Sequence, residues 1–168
     1  MKFFAYTFKT IAYILLLCSI VLFFTSLWHP AFGVERAWEN GTRIDVWYSA
    51  ICLLIGWLGI MTMGVGLTWL ANPLLVMTWL SFWEPRVSVI FSILAVLISA
   101  SFLLFSKIPV DEGGNMGTIC EYYSGYWLWL SSTIVMLASN GIQMLILYMQ
   151  PKRPNENRED PFVLGKIS

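Results

Sequence analysis

Four stretches without a single Asp, Glu, Lys or Arg, residues 10–34, 46–83, 87–106 and 122–151, take up most of the 168-residue chain. A helix needs about 20 predominantly apolar residues to cross a hydrocarbon core, and each stretch reaches that length. A buried soluble core does not require such runs. With 58% hydrophobic and 12% charged residues, the chain also has too little polar surface for a soluble domain of its size. The expected fold class is therefore all-α: an integral membrane four-transmembrane-helix bundle over 1–150, followed by a polar cytoplasmic tail, 151–168. The expected spans are about 10–28, 45–70, 87–106 and 126–149.

The second stretch is too long for one span and too short for two. Asn72-Pro73 supplies a break, because proline lacks an N–H and disfavours helical geometry in the residue before it. A second span ending at Leu70 leaves 74–83 as a short, Trp-bearing interfacial segment expected to lie flat at the inner face. The first span is expected to be retained rather than cleaved. Its apolar core, 11–27, is longer than a signal h-region, and Leu27-Trp28-His29-Pro30 is a poor cleavage site.

Charge placement sets the expected orientation. Lys2, Lys9, Arg86, Lys152, Arg153, Arg158 and Lys166 fall on one side of this scheme, and Arg36, Arg43 and Lys107 on the other. Basic residues collect on the cytoplasmic side, so both termini are expected inside, in a bacterial plasma membrane by the resemblance described below. Tryptophan placement marks the same boundaries: Trp28, Trp47, Trp127 and Trp129 at the outer edge, Trp69, Trp79 and Trp83 at the inner. The outer loops, 29–44 and 107–125, are short and carry turn signals at Asn40-Gly41 and Gly113-Gly114.

Little in the chain points to reaction chemistry. No Asp, Glu, Lys, Arg or His falls in the central part of an expected span, where an ion-coupled transporter usually carries one. That counts against a small multidrug exporter. Cys18, Cys52 and Cys120 form no C-x-x-C, which counts against a thiol–quinone oxidoreductase. There is no Cys-Cys-Gly to suggest a tetraspanin, and no pair of loop cysteines after Gly-Leu-Trp as a claudin needs. The single histidine, His29, is a weak metal signal, because one site needs several ligands. Asn40-Gly41-Thr42 fits a glycosylation sequon that matters only in a secretory-pathway host. No catalytic residue, cofactor or metal is expected, and zero net charge gives no reason to expect a nucleic-acid partner.

Two constellations remain. Thr62, Ser92, Asn140 and Gln143 form a neutral polar layer inside the expected bundle, with Thr133, Met136, Asn140 and Gln143 on one helical face. Such a layer joins helices through buried hydrogen bonds, or else lines a pocket for a small ligand. At the outer rim stand Asp111, Glu112, Glu121, Tyr122, Tyr126, Trp127 and Trp129. Acids ringed by aromatics suit docking of another protein, while an interfacial aromatic belt is the plainer reading.

The motifs Trp69-Leu70-Ala71-Asn72-Pro73-Leu74, Asp111-Glu112-Gly113-Gly114 and Gly125-Tyr126-Trp127-Leu128-Trp129-Leu130 resemble those of a loose group of small, uncharacterised four-span bacterial membrane proteins. The likeness covers roughly 56–132. It implies the plasma-membrane location and no activity, so no functional residue is carried over. The expectation is a non-enzymatic accessory or interaction subunit of a membrane complex, or an immunity-type protein. The alternative is an oligomeric small-solute transporter or channel using the polar layer. Expected partners are the lipid bilayer and another membrane protein, in a hetero-complex or as a homo-oligomer.

Overall fold

The computed structural model describes residues 2–38, 41–62, 64–110 and 115–149, without the side chains of 2–5, 38, 61 and 62. Helix α1 (Lys2–Ser26) leads into a hairpin, β1 (Pro30–Trp38) and β2 (Gly41–Tyr48). A helical segment follows: α2 (Ser49–Ile55), 3-10 turns at Gly56–Thr62 and Gly64–Leu70, and α3 (Ala71–Leu80). Helix α4 (Pro85–Ser101) ends in a 3-10 turn, then β3 (Lys107–Pro109), β4 (Met116–Tyr122) and α5 (Ser124–Met149) complete the chain. Three helices, Tyr6–Ser26, Pro85–Leu104 and Ser124–Met149, are long and apolar enough to cross a membrane.

The all-α four-helix bundle is corrected by this structure, which is mixed α/β. The two outer loops combine into one antiparallel sheet of order β2-β1-β4-β3. Strand β1 pairs along its whole length with β2, from Pro30↔Tyr48 to Trp38↔Gly41, and on its other side with β4, through Val34↔Ile119 and Glu35↔Thr118. Residues 45–48, expected to open the second span, are strand. Apolar Val46, Trp47 and Tyr48 do read as the start of a hydrophobic run, but alternate residues face opposite ways. Trp47 stacks on Phe32 at a ring separation of 6.2 Å, while Ile44 and Tyr48 are exposed. Arg36 and Arg43 both bridge to Asp45, at 3.4 and 3.0 Å.

The expected second span is not one helix. Gly64 turns the backbone at φ +73°, a conformation that strains any residue with a Cβ. Gly59 and Gly66 then meet backbone to backbone, and a Cβ on Gly66 collides with the Gly59 carbonyl. The arms are tied where Trp69 Nε1 donates to Leu53 O, at 2.8 Å. Ser49 N–H bonds His29 O, and Gly64 faces Phe105, so both ends of the first arm lie at the sheet end of the molecule. That arm therefore folds back under the sheet. Only the second, Gly64–Leu80, continues to the far end.

Asn72-Pro73 does not break this second arm. Proline leaves the carbonyl four residues earlier without its usual donor. Here that carbonyl is Trp69 O, and Asn72 Nδ2 donates to it at 3.1 Å. The 74–83 segment, expected flat at an interface, is mostly α3 and packs inward through Leu75 and Thr78, both fully buried.

Burial runs opposite to that of a soluble protein. Ser19, Ser26, Thr78, Ser88, Ser92, Ser99, Ser132, Thr133, Ser139 and Asn140 are fully buried, while Leu17, Leu54, Leu80, Leu97 and Leu145 face outward. Small polar residues let helices approach closely and bond across. Ser139 Oγ donates to Ala12 O at 2.7 Å and Ser19 Oγ to Ser132 O at 2.8 Å, which sets α1 antiparallel to α5. Two apolar clusters complete the interior. One, under the sheet, holds Phe32, Val34, Phe102, Ile108, Tyr126 and Leu130; the other, toward the far end, holds Ala12, Phe23, Leu75, Phe82 and Met136.

Candidate functional site

The folded-back arm leaves a cavity of about 250 Å³ between itself, the sheet and the upper parts of α1 and α5. Its walls are chiefly apolar, among them Phe23, Phe32, Cys52, Val65 and Trp69. The polar side chains in the wall are mostly engaged. Ser26 Oγ donates to Phe23 O and Thr68 Oγ1 to Val65 O, both at 2.6 Å. Asn72 Oδ1 accepts Trp129 Nε1 at 2.9 Å. Ser49 differs. It lines the same cavity, is 9% exposed, and its hydroxyl is the one buried side-chain polar atom without a partner among the described residues. An orphaned buried hydroxyl is costly, at about 1–3 kcal/mol. Sequence reading missed Ser49, because nothing in the pattern Tyr48-Ser49-Ala50 separates it from an ordinary helix start.

A second feature is the rim of the sheet. Strand β3 is three residues long and ends in Pro109, so that edge offers little to pair with. Strand β2 is eight residues long and borders the sheet, with β1 its one strand partner among the described residues. Ile44, 57% exposed, lies on its outward face with Val46 and Tyr48.

The rim residues singled out from the sequence divide. Asp111 and Glu112 lie outside the described residues. Glu121 and Trp127 are exposed, the latter at 48%. Tyr126 is 3% exposed and packs on Phe102, and its hydroxyl donates to Ser99 O at 3.2 Å. Trp129 is half-buried and bonded to Asn72. Tyr122, also half-buried, places its hydroxyl 3.3 Å from Phe105 O, and burial raises its phenol above the ordinary value. Much of the aromatic band thus builds the core beneath the sheet.

Two residues of the expected polar layer, Asn140 and Gln143, bond across helices. Asn140 Nδ2 donates to Ser88 O at 3.1 Å, and the Ser88 hydroxyl lies 3.0 Å from Asn140 Oδ1 and 2.9 Å from Thr78 O. Gln143 Nε2 donates to Phe82 O at 3.1 Å, and Ser99 and Thr133 hydroxyls meet at 3.2 Å. Ser92 bonds within its own helix, to Val89 O. Thr62 falls where side chains are not described.

His29 Nδ1 stands 3.2 Å from Ser124 Oγ, a serine–imidazole contact the sequence did not announce. The contact is exposed, and among the described residues no carboxylate bonds the ring to orient it as a base. Among the described residues no group of three or more His, Cys, Asp or Glu is placed to hold a metal ion. Comparison with protein-family models, curated proteins and solved structures finds no match.

Proposed function

We propose that the chain is an integral membrane protein and a non-enzymatic interaction subunit, whose outer sheet receives a strand from a partner membrane protein along β2. The inverted burial supports the membrane placement. Apolar side chains turned outward and Ser, Thr and Asn turned inward cost a soluble protein on both counts, and suit a helix packed in lipid. The ends of α1 and α5 remote from the sheet lie together, and Lys2 and Lys9 mark that end as the cytoplasmic one. The sheet then lies outside, in the plasma membrane of a bacterial host.

The observation that carries the docking role is the open β2 edge. An eight-residue border strand that pairs with β1 alone among the described strands, and that has an apolar outward face, is a template for strand addition. Soluble proteins usually protect such an edge with lysine, proline or a bulge; here Ile44, Val46 and Tyr48 stand exposed on it. The polar layer supports packing over a solute path, since Asn140, Ser88, Thr133 and Ser99 are bonded to one another or to backbone.

Site-specific photo-crosslinking in native membranes tests this role. A photo-reactive residue at Ile44 or Val46 is expected to capture one defined partner, and the same group at Lys107, on the opposite edge, is not. Ile44→Lys with Val46→Lys is expected to abolish the adduct without lowering the protein level. Equal labelling from both edges removes the basis for edge docking.

A further inference from the structure

Resting on the edge-docking role above, we propose that the strand received there is β2 of a second copy of this chain. The two strands pair antiparallel about Ile44, so that Arg43 of each copy faces Asp45 of the other.

The backbone limits the registers that two β2 edges can adopt. Successive residues of a strand turn their N–H and C=O groups to opposite edges, so outward groups meet only when residues of like parity face each other. A two-fold axis between the strands therefore passes through a residue, never between two. Axes at Arg43, Ile44 and Asp45 keep most of the strand paired, and the side chains decide among them. Arg43 and Asp45 lie on the same face as Trp47, the face whose β1 partners are Arg36, Val34 and Phe32. An axis at Arg43 sets arginine against arginine, and one at Asp45 sets carboxylate against carboxylate. Both arrangements are destabilising. The axis at Ile44 sets Arg43 against Asp45 twice. On the opposite face it sets Ile44 against Ile44 and Thr42 against Val46, so charged and apolar positions are matched together. These side chains are within reach of a second copy: Arg43 is 64% exposed, Ile44 57% and Val46 46%. Asp45 already bridges to Arg36 and Arg43 of its own chain. A carboxylate offers about four acceptor positions, so an arginine from the second copy extends this network.

The same axis suits a bilayer. Two copies inserted the same way round are related by a two-fold axis along the membrane normal. Antiparallel edge pairing has its axis perpendicular to the sheet. The buried face of the sheet rests on Phe102, just past the end of α4, and on Tyr126 and Leu130 in the first two turns of α5. The sheet thus lies across the end of the bundle, and an axis perpendicular to it runs along the helices. Parallel pairing would place the axis in the sheet plane and turn one bundle upside down. The far edge, β3, is three residues long and ends in Pro109, so growth stops at two copies.

Cysteine cross-linking in native membranes tests both the partner and the register. The full chain carries Cys18→Ser, Cys52→Ser and Cys120→Ser, and two differently tagged forms are co-expressed. Facing residues lie about 4.5–5.5 Å apart at Cα, within disulfide reach. Oxidation of Ile44→Cys is therefore expected to give a dimer carrying both tags. Thr42→Cys alone is expected to give none, because Thr42 of the second copy lies about 14 Å further along the strand. Chains with Thr42→Cys and chains with Val46→Cys are expected to join when expressed together. In the Ile44→Cys background, Arg43→Asp or Asp45→Arg alone is expected to lower the dimer yield about five-fold or more. Co-expression of those two chains is expected to restore it, since each acid of one then faces an arginine of the other. A disulfide from Ile44→Cys to a different protein overturns self-pairing and leaves edge docking standing, whereas the absence of any adduct removes both. Equal yields from Thr42→Cys alone and Ile44→Cys overturn the register. Should Asp45→Arg fail to accumulate, the mixed Thr42→Cys and Val46→Cys experiment still decides, and its failure overturns the proposal.

Discussion

Asn140→Leu isolates the bonds that hold α5 to α4. The side chain is fully buried and makes two contacts with one residue, Nδ2 to Ser88 O at 3.1 Å and Oδ1 with Ser88 Oγ at 3.0 Å. Leucine keeps the branching of asparagine with bulkier methyl groups in place of the amide, so the substitution removes the hydrogen bonds and opens no void, while overpacking adds to the loss. Buried interhelical bonds in membrane proteins average about 0.6 kcal/mol and reach about 1.7, so two of them predict a loss of about 1–2 kcal/mol. Ser88→Ala leaves the amide with no hydroxyl but keeps its bond to the Ser88 backbone carbonyl, and is expected to cost about half as much. The two changes share one contact. The double variant is therefore expected to lose less than the sum, by about 0.5 kcal/mol or more. Reversible unfolding in mixed micelles, followed by circular dichroism, measures all four proteins. Additivity within about 0.3 kcal/mol refutes the bonded layer as a unit.

Three further outcomes follow from the folded-back arm and the surface thiols. Gly66→Val sets a side chain against the Gly59 carbonyl, which no rotamer relieves, and should cost more than about 3 kcal/mol; an unchanged thermal midpoint contradicts the close approach. Asn72→Leu removes both the Trp129 bond and the donor to Trp69 O, and should cost about 1–2 kcal/mol in the same unfolding assay, with Trp129→Phe costing less. In intact cells an impermeant maleimide should label Cys120, exposed on β4, and leave Cys18 unlabelled, because the proposed membrane placement turns the exposed face of α1 to lipid.

The long apolar helices were legible in the sequence because hydropathy reads single residues, and α1, α4 and α5 are continuous runs. The sheet was not legible. Its β1–β4 register pairs Val34 with Ile119, residues far apart in the chain, and short loops with turn signals give no hint that they complete one another. The reversal at Gly64 depends on a positive φ that composition does not encode. Pro73 misled for a local reason: the neighbouring Asn72 side chain supplies the donor that proline withholds. Asn140 and Gln143 were readable as interior polar positions and bond across helices to Ser88 and Phe82, whereas nothing in the sequence around Ser49 marks its hydroxyl as unpartnered.

The most direct test of the account joins the two outer loops covalently. Glu35 on β1 and Thr118 on β4 are register partners. Facing residues of neighbouring strands lie about 4.5–5.5 Å apart at Cα, within disulfide reach. A chain with Glu35→Cys and Thr118→Cys, its native cysteines replaced by serine, is oxidised in intact cells and scored by a gel shift under reducing and non-reducing conditions. A rapid intramolecular disulfide that an impermeant reductant reverses is expected, and no disulfide when Glu35→Cys is combined with Lys107→Cys. Two free thiols after oxidation, or a bond that only a permeant reductant opens, would contradict a single sheet on the outer face.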